Sequence, residues 1–214
     1  MFELIGNESL DYFDSYDPQA DGFTACIINP FYEEIHGYEE NYFESLVSLI
    51  DLPLVPGAYV LVKSTPKIHF STTQIFDNAG FEVKPTMIRL LDHGRYEPWL
   101  IFQKPGEGEL ADWKRGKSYP LVIPVSEPTD EEREICNNQK IVPQKLLRDF
   151  ALMLSPDPKN SRILVPHIRL GTTVAACEAV GINCVGFQVL PPEGNDFCFE
   201  REIIEALAAL KTTD

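Results

Sequence analysis

Basic residues are scarce in this chain. Its 18 lysines and arginines stand against 33 aspartates and glutamates, for a formal net charge of -15 and a pI near 4.6. Nucleic-acid binders usually carry a basic surface, because phosphate contacts dominate their affinity. The field of this chain opposes DNA, which makes DNA a disfavoured partner and a basic protein the partner that the acidic surface suits. Histidine is also sparse. His36, His69, His93 and His167 lie far apart without metal-ligand spacing, so no metal site is expected. Five cysteines, Cys26, Cys136, Cys177, Cys184 and Cys198, make no C-x-x-C pair. Their odd number, with no leader-like first segment, points to a reducing compartment, the cytoplasm. No apolar stretch approaches membrane-spanning length, so no membrane is expected as a partner.

What is present is globular. Hydrophobic residues make up 44% of the chain and charged residues 24%, which leaves enough apolar surface for a core and argues against disorder. The 214 residues are most simply a single domain, 1–214.

The apolar patterning alternates between two periods. Short buried-strand runs occur at 2–6, Phe23 to Ile28, Ala58 to Val62, Ile163 to Pro166 and Asn183 to Phe187. Helical spacing runs from Tyr38 to Asp51, with an acidic outer face, and from Val142 to Leu154, where Leu146, Leu147, Phe150, Leu152 and Met153 are expected to point inward. Further helices are predicted over Thr65 to Ala79 and about Glu200 to Leu210, with one or two helical turns between Glu8 and Tyr16. Phe81 to Leu91 and Tyr96 to Gln103 are joined by Asp92-His93-Gly94-Arg95, a link short enough to make them an antiparallel pair. Residues 104–141 change character and are expected to form an irregular insert with one short apolar stretch, Leu121 to Val125. The run from Ile163 through Gly171-Thr172-Thr173 to Phe187 is a β-turn-α-β unit, half of a nucleotide-cradling sheet. Alternating β and α elements with a late antiparallel hairpin give a three-layer αβα sandwich of Rossmann-like type.

The order of these segments resembles the DNA amino-methyltransferases, which transfer a methyl group from S-adenosylmethionine to the exocyclic nitrogen of adenine or cytosine. Leu4-Ile5-Gly6-Asn7-Glu8-Ser9-Leu10 is similar to the family's opening. Ile27-Ile28-Asn29-Pro30-Phe31-Tyr32 sits where the family has its Asp/Asn-Pro-Pro-Tyr/Phe segment. Leu54-Val55-Pro56-Gly57-Ala58 resembles its Leu-Lys-Pro-Gly-Gly, and Tyr96 to Pro105 its hairpin strand. Pro143 with Leu146-Leu147 resembles its Lys-Pro-x-x-Leu helix start. Val165-Pro166 through Gly171-Thr172-Thr173 lies where it has Asp-Pro-Phe-x-Gly-Ser-Gly-Thr-Thr. The catalytic segment precedes the cofactor segment, the permuted order called β-type. The resemblance covers nearly the whole chain and implies a methyltransferase sandwich with the insert 104–141 at the target-recognition position.

The resemblance also assigns roles. Asn29 and the Pro30 carbonyl would accept hydrogen bonds from a flipped base, and Tyr32 would stack on it. Gly171, Thr172, Thr173 and Gln188 would be the remnant of the cofactor cradle. The rest of that cradle departs from the family. Arg169 replaces its first glycine, Val165 its aspartate, His167 its phenylalanine, Leu170 its serine and Val142 the helix-start lysine. Gln188 stands where an acidic residue grips the ribose. On the base side, Phe31 replaces the second proline. These losses imply impaired or absent S-adenosylmethionine binding and a protein acting as a binding or accessory factor. His167 and Arg169 are alternatively a new anion site at the helix start. Two other readings stay open: an active adenine-N6 or cytosine-N4 methyltransferase, and a fold reused for self-association.

Overall fold

The computed structural model describes residues 2–5, 22–30, 32, 36–37, 39–110, 119–137, 139–187 and 201–210. The elements run β1 (Phe2–Ile5), β2 (Phe23–Ile28), α1 (Glu39–Asp51), β3 (Leu54–Lys63), α2 (His69–Asn78), β4 (Glu82–Leu90), β5 (Tyr96–Gln103), β6 (Val122–Ile123), α3 (Asp130–Ile135), α4 (Gln144–Met153), β7 (Arg162–Val165), α5 (Thr172–Ala179), β8 (Asn183–Phe187) and α6 (Arg201–Ala209).

The eight strands form one sheet in the order β1-β8-β7-β2-β3-β5-β4-β6. Neighbours from β1 to β3 are parallel, and β5 runs antiparallel to both β3 and β4. Alternate side chains of a strand enter opposite layers. In β2, Ala25 and Ile27 join a core with α4, α5 and α6, while Cys26 and Ile28 join a second core with α1 and α2. The three-layer α/β sandwich with its late hairpin is therefore the architecture found. Helix α1 buries Tyr42, Phe43, Leu46, Val47 and Ile50 of the apolar positions expected to face inward, while Leu49, also expected, is half-buried. Each such side chain contributes roughly 1.5–3 kcal/mol by leaving water. Cys26, Cys136, Cys177 and Cys184 are free and buried, as small apolar residues are.

Several elements differ from expectation. Strand β3 begins at Leu54, ahead of Pro56-Gly57. Its pairing with β2 jumps from Phe23↔Leu54 to Ala25↔Tyr59, and this bulge accommodates a proline that has no N–H to donate. Helix α2 starts at His69 rather than Thr65, because Thr65 to Ile68 is a turn closed by Ile68 N–H to Thr65 O at 3.2 Å. Leu152 is 41% exposed, not inward. It lies ~200° around the helix from Phe150, which is buried. The insert is more regular than expected: β6 pairs with β4, and the acidic run forms α3. Thr129 caps α3 by accepting from Glu132 N–H, while the Glu132 carboxylate accepts from Thr129 N–H, both at 3.1 Å. The turns expected at Glu8 to Tyr16 lie outside the described residues.

Strand β2 leads to β3 on one side, and β7 leads to β8 on the other. Strands β2 and β7 are adjacent and parallel, paired through Ala25↔Ile163 and Cys26↔Leu164. Their carboxyl ends therefore flank the point where the strand order reverses. In open α/β sheets that crevice is where ligands bind.

Candidate functional site

Two loops leave the sheet at this crevice. The first, after β2, carries Asn29, Pro30 and Tyr32. Pro30 is buried and Asn29 is half-buried. The Asn29 Oδ1 atom is buried and has no hydrogen-bond partner among the described residues. An orphaned carbonyl oxygen costs about 1–3 kcal/mol in a folded protein, so this oxygen is an acceptor that a donor in the hollow would satisfy. Tyr32 Oη donates to Lys63 O at 2.6 Å and fastens the loop to the end of β3. Burial pushes its phenol well above the ordinary range. Phe31 lies outside the described residues.

The second loop, after β7, is filled by its own side chains. His167 is 2% exposed, and its Nδ1 lies 3.1 Å from Tyr42 Oη. Burial, then the charges of Lys63 and Arg169, lower its pKa to about 3, so the ring is neutral. Ile168 is buried in the core and lies over Gly186 of β8, where a Cβ would come within 2.9 Å of its Cδ1. Arg169 has φ 46, and its Nη2 donates to Gln139 Oε1 at 2.8 Å. The resemblance places a glycine here, and the left-handed backbone that glycine takes freely is kept under an arginine. His167 is neutral and hydrogen-bonded to Tyr42, and Arg169 donates to Gln139, so of the pair that the sequence suggested as an anion site only Arg169 brings a charge.

Gly171 begins α5 at φ 75, and its bare Cα is covered by α6: a Cβ there would sit 2.2 Å from Ile204 Cγ1. Thr172 and Thr173 are buried, and Thr172 O accepts from Gln144 Nε2 at 2.9 Å. Gln188 lies outside the described residues.

The two loops thus bring Asn29, Pro30, His167, Arg169, Leu170 and Thr172 together around one hollow. The hollow measures about 30 Å³, room for a single water. Beside it opens a cleft of about 540 Å³ that includes Tyr32, Tyr96, His36 and Glu97. Lys63, Lys140, Ile141 and Val142 line both spaces. Sequence reasoning missed Lys63 and Lys140 as site residues, and it missed Tyr42 as the partner of His167. For Lys63 a signal existed, since it ends a buried-strand run at the carboxyl edge. Lys140 comes from the insert, and no pattern ties it to the site. Among the described residues no group of three or more His, Cys, Asp or Glu is placed to hold a metal, and no helix is long and apolar enough to cross a membrane.

No protein-family model matches this sequence, and no curated protein matches it. Solved structures do match, over nearly the whole chain. A crystal structure of an M1.HpyAVI-SAM complex superposes with a TM-score of 0.70 at 16% identity, covering 97% of this chain and 97% of that one. The PvuII DNA methyltransferase, cytosine-N4-specific, superposes with a TM-score of 0.68 at 13% identity, covering 97% of this chain and 92% of that one. At these identities the likeness establishes the fold: the chain has the mixed α/β sandwich of these methyltransferases, one eight-stranded sheet flanked by helices.

Proposed function

We propose that this is a methyltransferase-fold protein with impaired or no binding of S-adenosylmethionine, acting by binding rather than by methyl transfer. The observation that carries the reading is the filled crevice. A site for a ligand of that size needs roughly 300 Å³ or more. The hollow between Asn29 and Arg169 offers about 30 Å³. Ile204 occupies the space over Gly171, Ile168 the space over Gly186, and His167 is hydrogen-bonded into the core. The filling of this hollow among the described residues supports a cradle that no longer seats the cofactor. The acidic surface suits a basic protein partner, and four buried free thiols suit a reducing, cytoplasmic setting. Isothermal titration of the full chain with S-adenosylmethionine tests the reading. No heat of binding is expected up to about 1 mM ligand, and micromolar affinity would refute it.

One observation favours a second reading, an active DNA adenine-N6 or cytosine-N4 methyltransferase. Asn29 Oδ1 is a buried acceptor waiting for a donor, on a loop that keeps Pro30 and Tyr32. The neighbouring proteins' names support it by likeness alone. Labelled-methyl transfer to unmodified DNA, run beside Asn29→Ala, separates the two. Incorporation that the substitution abolishes supports the second reading, and background counts in both proteins support the first.

A further inference from the structure

A separate cavity opens at the other end of the sheet from the crevice, at the amino ends of β2, β3 and β7. It measures about 250 Å³. Sites for whole small molecules begin near roughly 300 Å³, so this space suits a single side chain. Its floor is rigid. A Cβ on Gly57 of β3 would lie 2.0 Å from Glu107 O, and one on Gly108 would lie 2.1 Å from Gly57 O. The Gln103 side chain, from a residue 6% exposed, donates from Nε2 to Gly57 O at 3.3 Å and to Gly108 O at 3.4 Å. Gly108 is thereby held, and Glu107 and Glu109 on either side of it both line the cavity. Asp157 joins them from the loop between α4 and β7, its Oδ2 accepting from Asn160 Nδ2 at 2.6 Å. Val55, Pro56, Leu154 and Pro156 supply apolar wall.

No lysine, arginine or histidine stands in this lining. Among the nearby cations, Lys104 is paired with Asp51 at 3.1 Å, Arg162 lies 4.7 Å from the centre of the Phe23 ring, and Lys159 is exposed outside the lining. Glu107 and Glu109 have no hydrogen-bond or ion-pair partner among the described residues. The carboxylates are also not gathered for a metal, since no group of three or more His, Cys, Asp or Glu is so placed among the described residues. An organic cation with an apolar stem is the chemistry that remains.

We propose that this cavity seats an arginine side chain from a basic segment of a partner protein, which rests on the reading that the chain acts by binding. The stem lies along the apolar wall while the charged head meets the carboxylates. Arginine suits the place better than lysine. Its planar fork carries five donors for separated acceptors, and its charge is more weakly hydrated and so easier to bring against an apolar wall. The net charge of -15 draws such a segment in from a distance.

The test is fluorescence anisotropy of the full chain with labelled tetra-arginine, tetra-lysine and tetra-citrulline peptides. Tetra-arginine is expected to bind several-fold more tightly than tetra-lysine, and the uncharged citrulline peptide not at all. Glu107→Gln with Glu109→Gln should weaken tetra-arginine about tenfold. Glu40→Gln with Glu44→Gln, the same change of net charge on the exposed face of α1, should weaken it no more than about twofold. Lys114, Arg115 and Lys117 lie outside the described residues, and changing all three to Gln should alter the affinity no more than about threefold. Equal weakening by the two glutamate pairs, equal affinity for the arginine and lysine peptides, a large gain in the Lys114, Arg115 and Lys117 variant, or no tetra-arginine binding at about 1 mM would each overturn the proposal. Peptide binding that ignores Glu107 and Glu109 removes this cavity and leaves the acidic-surface reading standing. Titration with S-adenosylmethionine reports separately on the filled crevice.

Discussion

The imidazole of His167 is held in the core by Tyr42 and is neutral in the folded chain, with a pKa of about 3. An exposed histidine titrates near 6.5. Above that pH the ring is neutral in both states and costs nothing. As pH falls below it, the unfolded chain takes up a proton that the folded chain refuses, and stability is lost progressively until about pH 3. Between pH 7.5 and 5.5 this ring alone removes about 1.4 kcal/mol. His167→Phe should therefore show a smaller drop in urea midpoint over that interval than the unmodified protein. Equal drops would contradict the assignment. Gly171 makes the second prediction. Gly171→Ala meets both a positive φ and Ile204, whereas Gly181→Ala meets the same φ with nothing within 4 Å. The Gly181 change should cost about 1–2 kcal/mol and the Gly171 change about 3 or more. In chemical denaturation, trimming Ile204 to Ala in the Gly171→Ala background should recover part of the excess. No difference between the two glycines would show that the contact is relieved at no cost.

At the scale of elements, the short helix α3 matters beyond its six residues. Glu132 is 5% exposed and closes the cap with Thr129. It also accepts from the backbone N–H of Gln144 at 3.1 Å, the start of α4. One carboxylate thus joins the insert to the helix that packs on α5. Thr129→Ala should cost about 1 kcal/mol, the usual value of a lost cap. Glu132→Ala leaves two backbone donors unpaired, one of them buried, and should cost about 2–3 kcal/mol. Urea denaturation of the two variants compares them, and equal losses would confine Glu132 to its own helix.

For the whole molecule, both cores are built on opposite faces of the same strands, and one sheet runs from β1 to β6. Neither core can open without exposing the sheet that carries the other. Thermal unfolding should be a single transition, with coincident near- and far-ultraviolet circular dichroism and equal calorimetric and van't Hoff enthalpies. Two separated transitions would divide the chain.

Much of this was legible before any coordinates. The strand runs, the stripe of α1, the hairpin around Asp92 to Arg95 and the stop at Gly181 follow from local periodicity and turn chemistry, which the chain carries in neighbouring residues. The cap of α3 was legible too, as Thr129-Asp130-Glu131-Glu132, within an insert expected to be irregular. The substitutions at 165–170 announced a changed crevice, and residue order alone brought Asn29 and Thr172 to the same sheet edge. What sequence could not supply was direction. Whether His167 bonds a ligand or Tyr42, whether Gly171 leaves a cradle or admits Ile204, and which residues line the cleft with Tyr32 depend on residues far apart in the chain. Those choices are made by packing, where volume and charge are settled among side chains that no local pattern links.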